Sequence, residues 1–198
     1  MNWANRLTLG RLALTILFVL ALNSVWSYGR SVALVLFVLA GISDYFDGEI
    51  ARRYGTVTKF GKLMDPLVDK VMMAAAFICL VPPGAVPAWV ATIVVARDFL
   101  ITGLRLLASS EGTILPAEKL GKHKTSWQIT TVVYFLLLLS TRELHPGVEE
   151  SGWWQIAWRD GGNVLLWITI GLTIYSGLGY LWRHRALIWP TGLGYDDT

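Results

Sequence analysis

One cysteine, Cys79, stands in a chain of 198 residues, so no disulfide closes within the chain and no Cys-rich metal module can form. Charge is scarce too. Charged residues make up 16% and hydrophobic types 54%, against roughly 25% and 45–50% in soluble domains. That balance argues against a water-soluble globule. It also excludes a disordered chain, which needs low hydrophobicity and high charge. Of the three histidines, His145 and His184 have no partner pattern and His123 sits in a basic stretch. No internal repeat or low-complexity tract is present. The pI is near 9.1 and mean hydropathy is +0.51. The bases fall between apolar runs, not along a polar face. That placement speaks against nucleic acid and for basic loops on one side of a membrane.

A bilayer span needs roughly 20 mostly apolar residues. Six stretches meet this, near Leu7–Ser27, Ser31–Arg53, Gly61–Val81, Pro87–Leu107, Thr125–Thr141 and Asn163–Trp182. The first lacks a small-x-small cleavage site after its apolar core and reads as a retained span. Tyr28-Gly29 and Pro82-Pro83-Gly84 mark turns. The reading is a single all-α domain over 1–198, polytopic, with six transmembrane helices and a Trp-rich 142–160 loop. Arg6, Arg11, Arg52, Arg53, Lys59, Lys62, Arg105, Lys119, Lys122, Lys124, Arg183 and Arg185 then gather on one side, with Arg30, Arg142 and Arg159 opposite. By the positive-inside rule both termini face the cytoplasm. Most tryptophans fall near span ends, as an interfacial belt requires.

Four acidic residues lie inside apolar helices within one short region: Asp44, Asp47, Asp65 and Asp69. An ionised carboxylate inside a membrane costs about 2.5–3.5 kcal/mol on insertion scales, so four of them need a shared counter-charge or a wet cavity. Asp44 and Asp47 are spaced i,i+3 and Asp65 and Asp69 i,i+4, which puts each pair on one helix face. The turn between Arg53 and Phe60 can bring the two pairs together. Hard oxygen donors with no His or Cys nearby suit Mg²⁺ or Mn²⁺ better than zinc, and a two-ion site is expected. Helix caps or ion pairs with Arg52, Arg53 and Lys70 could explain any one of these residues. They do not account for four at these spacings.

Asp44-Tyr-Phe-Asp47-Gly48-Glu-Ile-Ala51-Arg52, eight further residues, then Gly61-Lys-Leu-Met-Asp65-Pro-Leu-Val-Asp69 resembles the signature of the CDP-alcohol phosphotransferases at all eight positions. The resemblance implies that family's fold, six membrane helices in a homodimer with the active site facing the cytoplasm, here at a bacterial inner membrane. It implies Asp44, Asp47, Asp65 and Asp69 as ligands of Mg²⁺ or Mn²⁺, with Asp69 also the general base. It implies Gly48, Ala51 and Gly61 as the cytidine pocket, and Arg52 on the diphosphate with Thr8 near the mouth. The physical fit is direct. Glycine lets a flat base approach the backbone, and a guanidinium matches a diphosphate through its planar fork. Pro66, beside Asp65, should stiffen or bend its helix.

A second cluster lies downstream. Arg97 and Arg105 are i,i+8 and nearly cofacial on a helix, with Arg97 well inside apolar sequence. A buried arginine needs an anion. Asp98 adjoins it but points about 100° away around the helix, which makes it a poor partner in this reading. A substrate phosphate held by Arg97, Arg105, Lys122 and Lys124 is the better candidate; for Lys119, Lys122 and Lys124, positive-inside orientation with contact to anionic lipid headgroups is an equal reading. The segments Ala96-Arg97-Asp98…Leu104-Arg105, Gly121-Lys122-His123-Lys124-Thr125 and Asn2-Trp-Ala-Asn5-Arg-Leu7-Thr8-Leu-Gly-Arg11 are similar to those of bacterial phosphatidylglycerophosphate synthases, with Ala4 where many members carry proline. The implied substrates are CDP-diacylglycerol and glycerol 3-phosphate. Serine, inositol phosphate or phosphatidylglycerol as acceptor, an Asp-rich intramembrane prenyltransferase and a divalent-cation transporter are the competing readings. The glycine–Ala-Arg signature and small size disfavour the prenyltransferase. A transporter would spread its carboxylates across the membrane depth.

Overall fold

The computed structural model describes the backbone of residues 3–54, 59–110 and 119–185, and the side chains of those residues except 3–8, 44–54, 59–66, 119–120 and 122. All regular structure among them is helical. The elements are α1 (Trp3–Leu22), α2 (Gly29–Tyr54), α3 (Lys59–Cys79), α4 (Ala88–Ser110), α5 (Lys119–Leu144), a short 3-10 turn (Val148–Glu150), α6 (Gly152–Ile156), a π-helical turn (Ala157–Gly161) and α7 (Gly162–Arg183). Helix α3 runs unbroken through Pro66.

Local chemistry sets the ends. The Asn23 amide donates to the Val19 carbonyl at 2.8 Å and the Ser24 hydroxyl to that of Ala21 at 2.8 Å, satisfying carbonyls that the end of α1 leaves open. After α3 the chain reverses at Gly84, whose φ of 74° is open to glycine at little cost. Its N–H donates to the Val81 carbonyl at 2.9 Å. Pro87 then precedes α4, its carbonyl taking the N–H groups of Val90 and Ala91.

Helix α1 lies against α2 and α3; α2 packs on α5, α3 on α4, and α7 on both α4 and α5. Phe18, Phe37, Phe77, Leu80, Val90, Phe135, Leu136 and Leu139 fill the shared core, with the rings of Phe18 and Phe37 5.7 Å apart. Cys79 is buried as a free thiol whose sulfur accepts from the Asn23 side-chain amide at 3.5 Å. Large apolar side chains also cover the outside, among them Leu20, Val35, Ile78, Leu137, Trp167, Ile174 and Leu178. Among the described residues, one continuous helical run, Gly152–Arg183, is long and apolar enough to cross a bilayer; Leu9–Leu22 and Gly29–Ser43 are shorter apolar stretches.

The Trp-rich segment departs from the sequence reading. Expected as a loop over 142–160, it folds from Val148 into helical turns that join α7 directly. Two aromatic contacts explain this. Trp154 and Trp158, one turn apart, stack at 5.0 Å, and Trp158 meets Phe135 edge-on at 5.7 Å. The Tyr134 hydroxyl donates to the Ala157 carbonyl at 2.7 Å where the helix widens. Gly162 makes this crossing possible, since a Cβ there would sit 2.8 Å from Phe135 Cζ.

Past the apolar run that ends at Thr141, Glu143 caps α2. Its carboxylate accepts from the backbone N–H of Arg30 (3.0 Å) and Ser31 (2.8 Å) and from the Ser31 hydroxyl (2.7 Å). Partial burial pushes the carboxyl up, but these donors and the Arg30 charge outweigh it and hold it below its ordinary value of 4.5. A lowered native value means the stabilisation is present above the ordinary value and is lost as pH falls through the native one. Glu143→Ala should therefore cost about 1 kcal/mol at neutral pH, and the difference in thermal midpoint from wild type should shrink on acidification. A constant difference across the acid range would assign the cap no role for charge.

Candidate functional site

The signature residues ride on α2 and α3. Asp44, Asp47, Gly48, Ala51 and Arg52 lie along the last turns of α2, and Gly61, Asp65 and Asp69 along the first half of α3. The helical backbone keeps the i,i+3 and i,i+4 pairs on common faces. The side chains of Asp44, Asp47, Ala51, Arg52, Asp65, Thr8 and Lys122, and the surroundings of Gly48 and Gly61, lie outside the described residues. Asp69 is described. Its Oδ1 accepts from the guanidinium of Arg11, which α1 delivers from a buried position (4% exposed). The carboxylate itself is part-open, at 42%. The sequence reading gave Arg11 only a topological role.

Asp69 opens onto a cavity of about 590 Å³, inside the roughly 300–1,000 Å³ range of small-molecule sites. Four helices wall it. Asp69 and Lys70 come from α3, Arg97, Asp98, Thr102 and Arg105 from α4, Gly121, Lys124 and Thr125 from α5, and Tyr180 from α7. The i,i+8 spacing therefore brings Arg97 and Arg105 to one cavity, and that cavity also holds the last carboxylate of the signature.

Asp98 requires a correction. It is buried (4% exposed) and is the counter-ion of Lys124, itself 1% exposed. It also reaches Arg97, whose Nη1 lies 3.4 Å from Asp98 Oδ1. The 100° offset that seemed to separate neighbours matters little for a side chain as long as arginine, which can curl back toward its own helix. A lone buried charge is costly, and removing one partner of a buried pair typically costs 3–5 kcal/mol, so Asp98 keeps Lys124 and Arg97 tolerable inside the bundle. Among the described residues the walls carry the cations Lys70, Arg97, Arg105 and Lys124 and the carboxylates Asp69 and Asp98. Guanidinium and ammonium groups facing a cavity can receive a phosphate.

Helix α7 completes the site. Arg97 Nη2 donates to the Ser176 hydroxyl at 3.0 Å, and Arg105 Nε donates to the Tyr180 hydroxyl at 3.3 Å. The sequence reading missed Lys70 and Tyr180 as wall residues and Ser176 as the partner of Arg97. A signal existed in α7, where Thr169, Thr173, Ser176 and Tyr180 recur at spacings of four, three and four in an otherwise apolar helix. All four are buried, which is a polar stripe turned inward.

Of the four signature aspartates, Asp69 alone has a described side chain, and it lines a polar cavity. Carboxylate oxygens are hard donors. Such donors fit a hard divalent cation, Mg²⁺ or Mn²⁺.

Comparison with known proteins bears on the family. The family model described as CDP-alcohol phosphatidyltransferase matches residues 1–175. A protein of Bacillus subtilis named CDP-diacylglycerol–glycerol-3-phosphate 3-phosphatidyltransferase is 33% identical over 195 residues, covering 92% of this chain and 95% of its own. A protein of the same name from Rickettsia felis is 36% identical over 180 residues, covering 90% and 93%. With the signature spread over α2 and α3 and the match running through nearly the whole helical bundle, the chain belongs to the CDP-alcohol phosphatidyltransferase family.

Proposed function

We propose that this protein transfers a phosphatidyl group from CDP-diacylglycerol to glycerol 3-phosphate, giving phosphatidylglycerophosphate and CMP. The observation that carries the reading is the shared cavity, where the Asp69 carboxylate stands with Arg97 and Arg105 among the wall residues. The names of the relatives point to the same two substrates.

The sn-1 hydroxyl of glycerol 3-phosphate attacks the phosphatidyl phosphorus of CDP-diacylglycerol. The new O–P bond forms as the bridging P–O bond to CMP breaks, and Asp69 takes the hydroxyl proton. Arg11, against Asp69 Oδ1, fixes the direction in which the carboxylate faces. Arg97 and Arg105 hold the acceptor phosphate, aided by Lys122 and by Lys124 through its pair with Asp98. Arg52, with Thr8 at the mouth, takes the donor diphosphate, and Gly48, Ala51 and Gly61 leave room for the cytosine. Asp44, Asp47, Asp65 and Asp69 would hold two Mg²⁺ or Mn²⁺ ions, which when bound neutralise the diphosphate and the charge that develops on CMP. Holding both substrates in line supplies much of the remaining acceleration.

The reading places the six long helices across a bacterial inner membrane, with the cavity end and both termini on the cytoplasmic face. The apolar outer surface supports immersion in lipid. Cavity cations at one end, with Arg30 and Arg142 near Glu143 and Glu149 at the other, fit the positive-inside asymmetry. The homodimer rests on the family resemblance.

The test is purified protein with labelled CDP-diacylglycerol and Mg²⁺, offered glycerol 3-phosphate, serine, inositol phosphate and phosphatidylglycerol separately. Turnover with glycerol 3-phosphate alone is expected; turnover with serine instead would sink the reading, since serine brings no phosphate for the arginine pair. Arg105→Ala should raise acceptor KM roughly 10- to 200-fold, the loss of one charge-assisted hydrogen bond, and leave the KM for CDP-diacylglycerol near wild type. Arg97→Lys should retain part of the function that Arg97→Ala loses, because an ammonium keeps the charge but not the fork.

A further inference from the structure

We infer that the last turns of α7, beyond the point where the family match ends, set the reach of the acceptor-binding arginines, and that Tyr180 is the positioning residue for Arg105. The inference rests on the acceptor reading above. It stands on the side-chain geometry at Ser176 and Tyr180, just past the residues 1–175 that the family model matches.

Two features single out Tyr180. It is the largest side chain among the most deeply buried, at 1% exposure, yet it borders the cavity. It also grips Arg105 twice. Its hydroxyl accepts from Nε at 3.3 Å, and its ring lies under the guanidinium carbon, 5.3 Å from the centroid. A hydrogen bond and a cation–π contact from the same side chain fix both the position and the tilt of a planar cation. The ring is braced in turn by His184, whose centroid lies 4.4 Å away, and His184 Nδ1 is 3.0 Å from the Tyr180 carbonyl oxygen. One turn earlier, Ser176 meets Arg97 and the glycine beside it clears a path for the arginine stem. A Cβ on Gly177 would stand 3.0 Å from Arg97 Cγ.

Helices α4 and α7 run parallel, since Trp89 meets Trp167 (6.3 Å) before Arg97 meets Ser176 and Arg105 meets Tyr180. One helix therefore buttresses both arginines. A flexible arginine with no such brace would lose side-chain entropy each time it captured a phosphate. Bracing it beforehand should appear as acceptor affinity.

The experiment is a double-mutant cycle on the full-length enzyme with CDP-diacylglycerol at saturation. Tyr180→Phe keeps the ring and removes the hydroxyl. It should raise the KM for glycerol 3-phosphate roughly 3- to 10-fold, the worth of one hydrogen bond, with kcat and the KM for CDP-diacylglycerol unchanged. Tyr180→Leu removes the cation–π contact too and should go further, with Tyr180→Phe standing as partial rescue. In an Arg105→Ala background, Tyr180→Phe should add nothing. An unchanged acceptor KM in Tyr180→Phe, or an equal loss with and without Arg105, would overturn the inference while leaving the acceptor assignment intact. Absence of wild-type turnover with glycerol 3-phosphate would instead fail the acceptor reading. The cycle would then be run with the acceptor actually used, and Tyr180 keeps its role only if that acceptor's KM moves.

Discussion

Chelation of divalent cations is expected to abolish turnover, and added Mg²⁺ or Mn²⁺ to restore it. Asp44, Asp47, Asp65 and Asp69 stand at i,i+3 and i,i+4 on two successive helices, so close carboxylates would repel one another and the donor diphosphate alike. Cations of the cavity wall do not remove that need. Lys124 is occupied by Asp98 and Arg97 and Arg105 are assigned to the acceptor, which leaves Lys70 as the remaining wall cation among the described residues, against four carboxylates and a diphosphate. The measurement is initial rate after exhaustive metal stripping, in excess chelator and again after titration with Mg²⁺. Full activity in chelator would remove metal from the mechanism and leave the carboxylates to be explained by ion pairing.

Asp69→Asn should lower kcat by roughly 100-fold or more, the usual worth of a positioned general base. Asparagine keeps the shape and one acceptor oxygen but cannot take the proton. The same substitution removes the negative charge facing buried Arg11, so some loss of thermal stability is expected beside the kinetic effect. Arg11→Lys separates the two. It keeps a cation near Asp69 and removes the planar fork, so it should disturb orientation while retaining the base. Near-normal turnover in a metal-binding Asp69→Asn variant would transfer the base to another group.

How much of this was legible before the fold depends on the range of each contact. Long helices over the apolar runs follow from composition, and most of their limits agree with the sequence reading to within four residues. Helix α1 instead ends at Leu22, short of the expected Ser27, because Asn23 and Ser24 take its last carbonyls, and α5 starts at Lys119 rather than Thr125. The 142–160 segment was misread because its helical turns are set by Tyr134 and Phe135 on α5. Its own composition carries little of that information.

The same division runs through the site. Sequence alone determined the pairing of the signature carboxylates and the cofacial arginines, since both are consequences of 3.6 residues per turn within single helices. Only the tertiary structure decided which charges meet. Arg11 reaches Asp69 across 58 residues, Lys124 finds Asp98 across 26, and Ser176 and Tyr180 brace Arg97 and Arg105 across 79 and 75. No local pattern encodes these partnerships. A buried ion accepts whichever opposite charge or hydroxyl the packing of neighbouring helices brings within a few ångströms, and that choice is made by helix contacts distributed over the whole bundle.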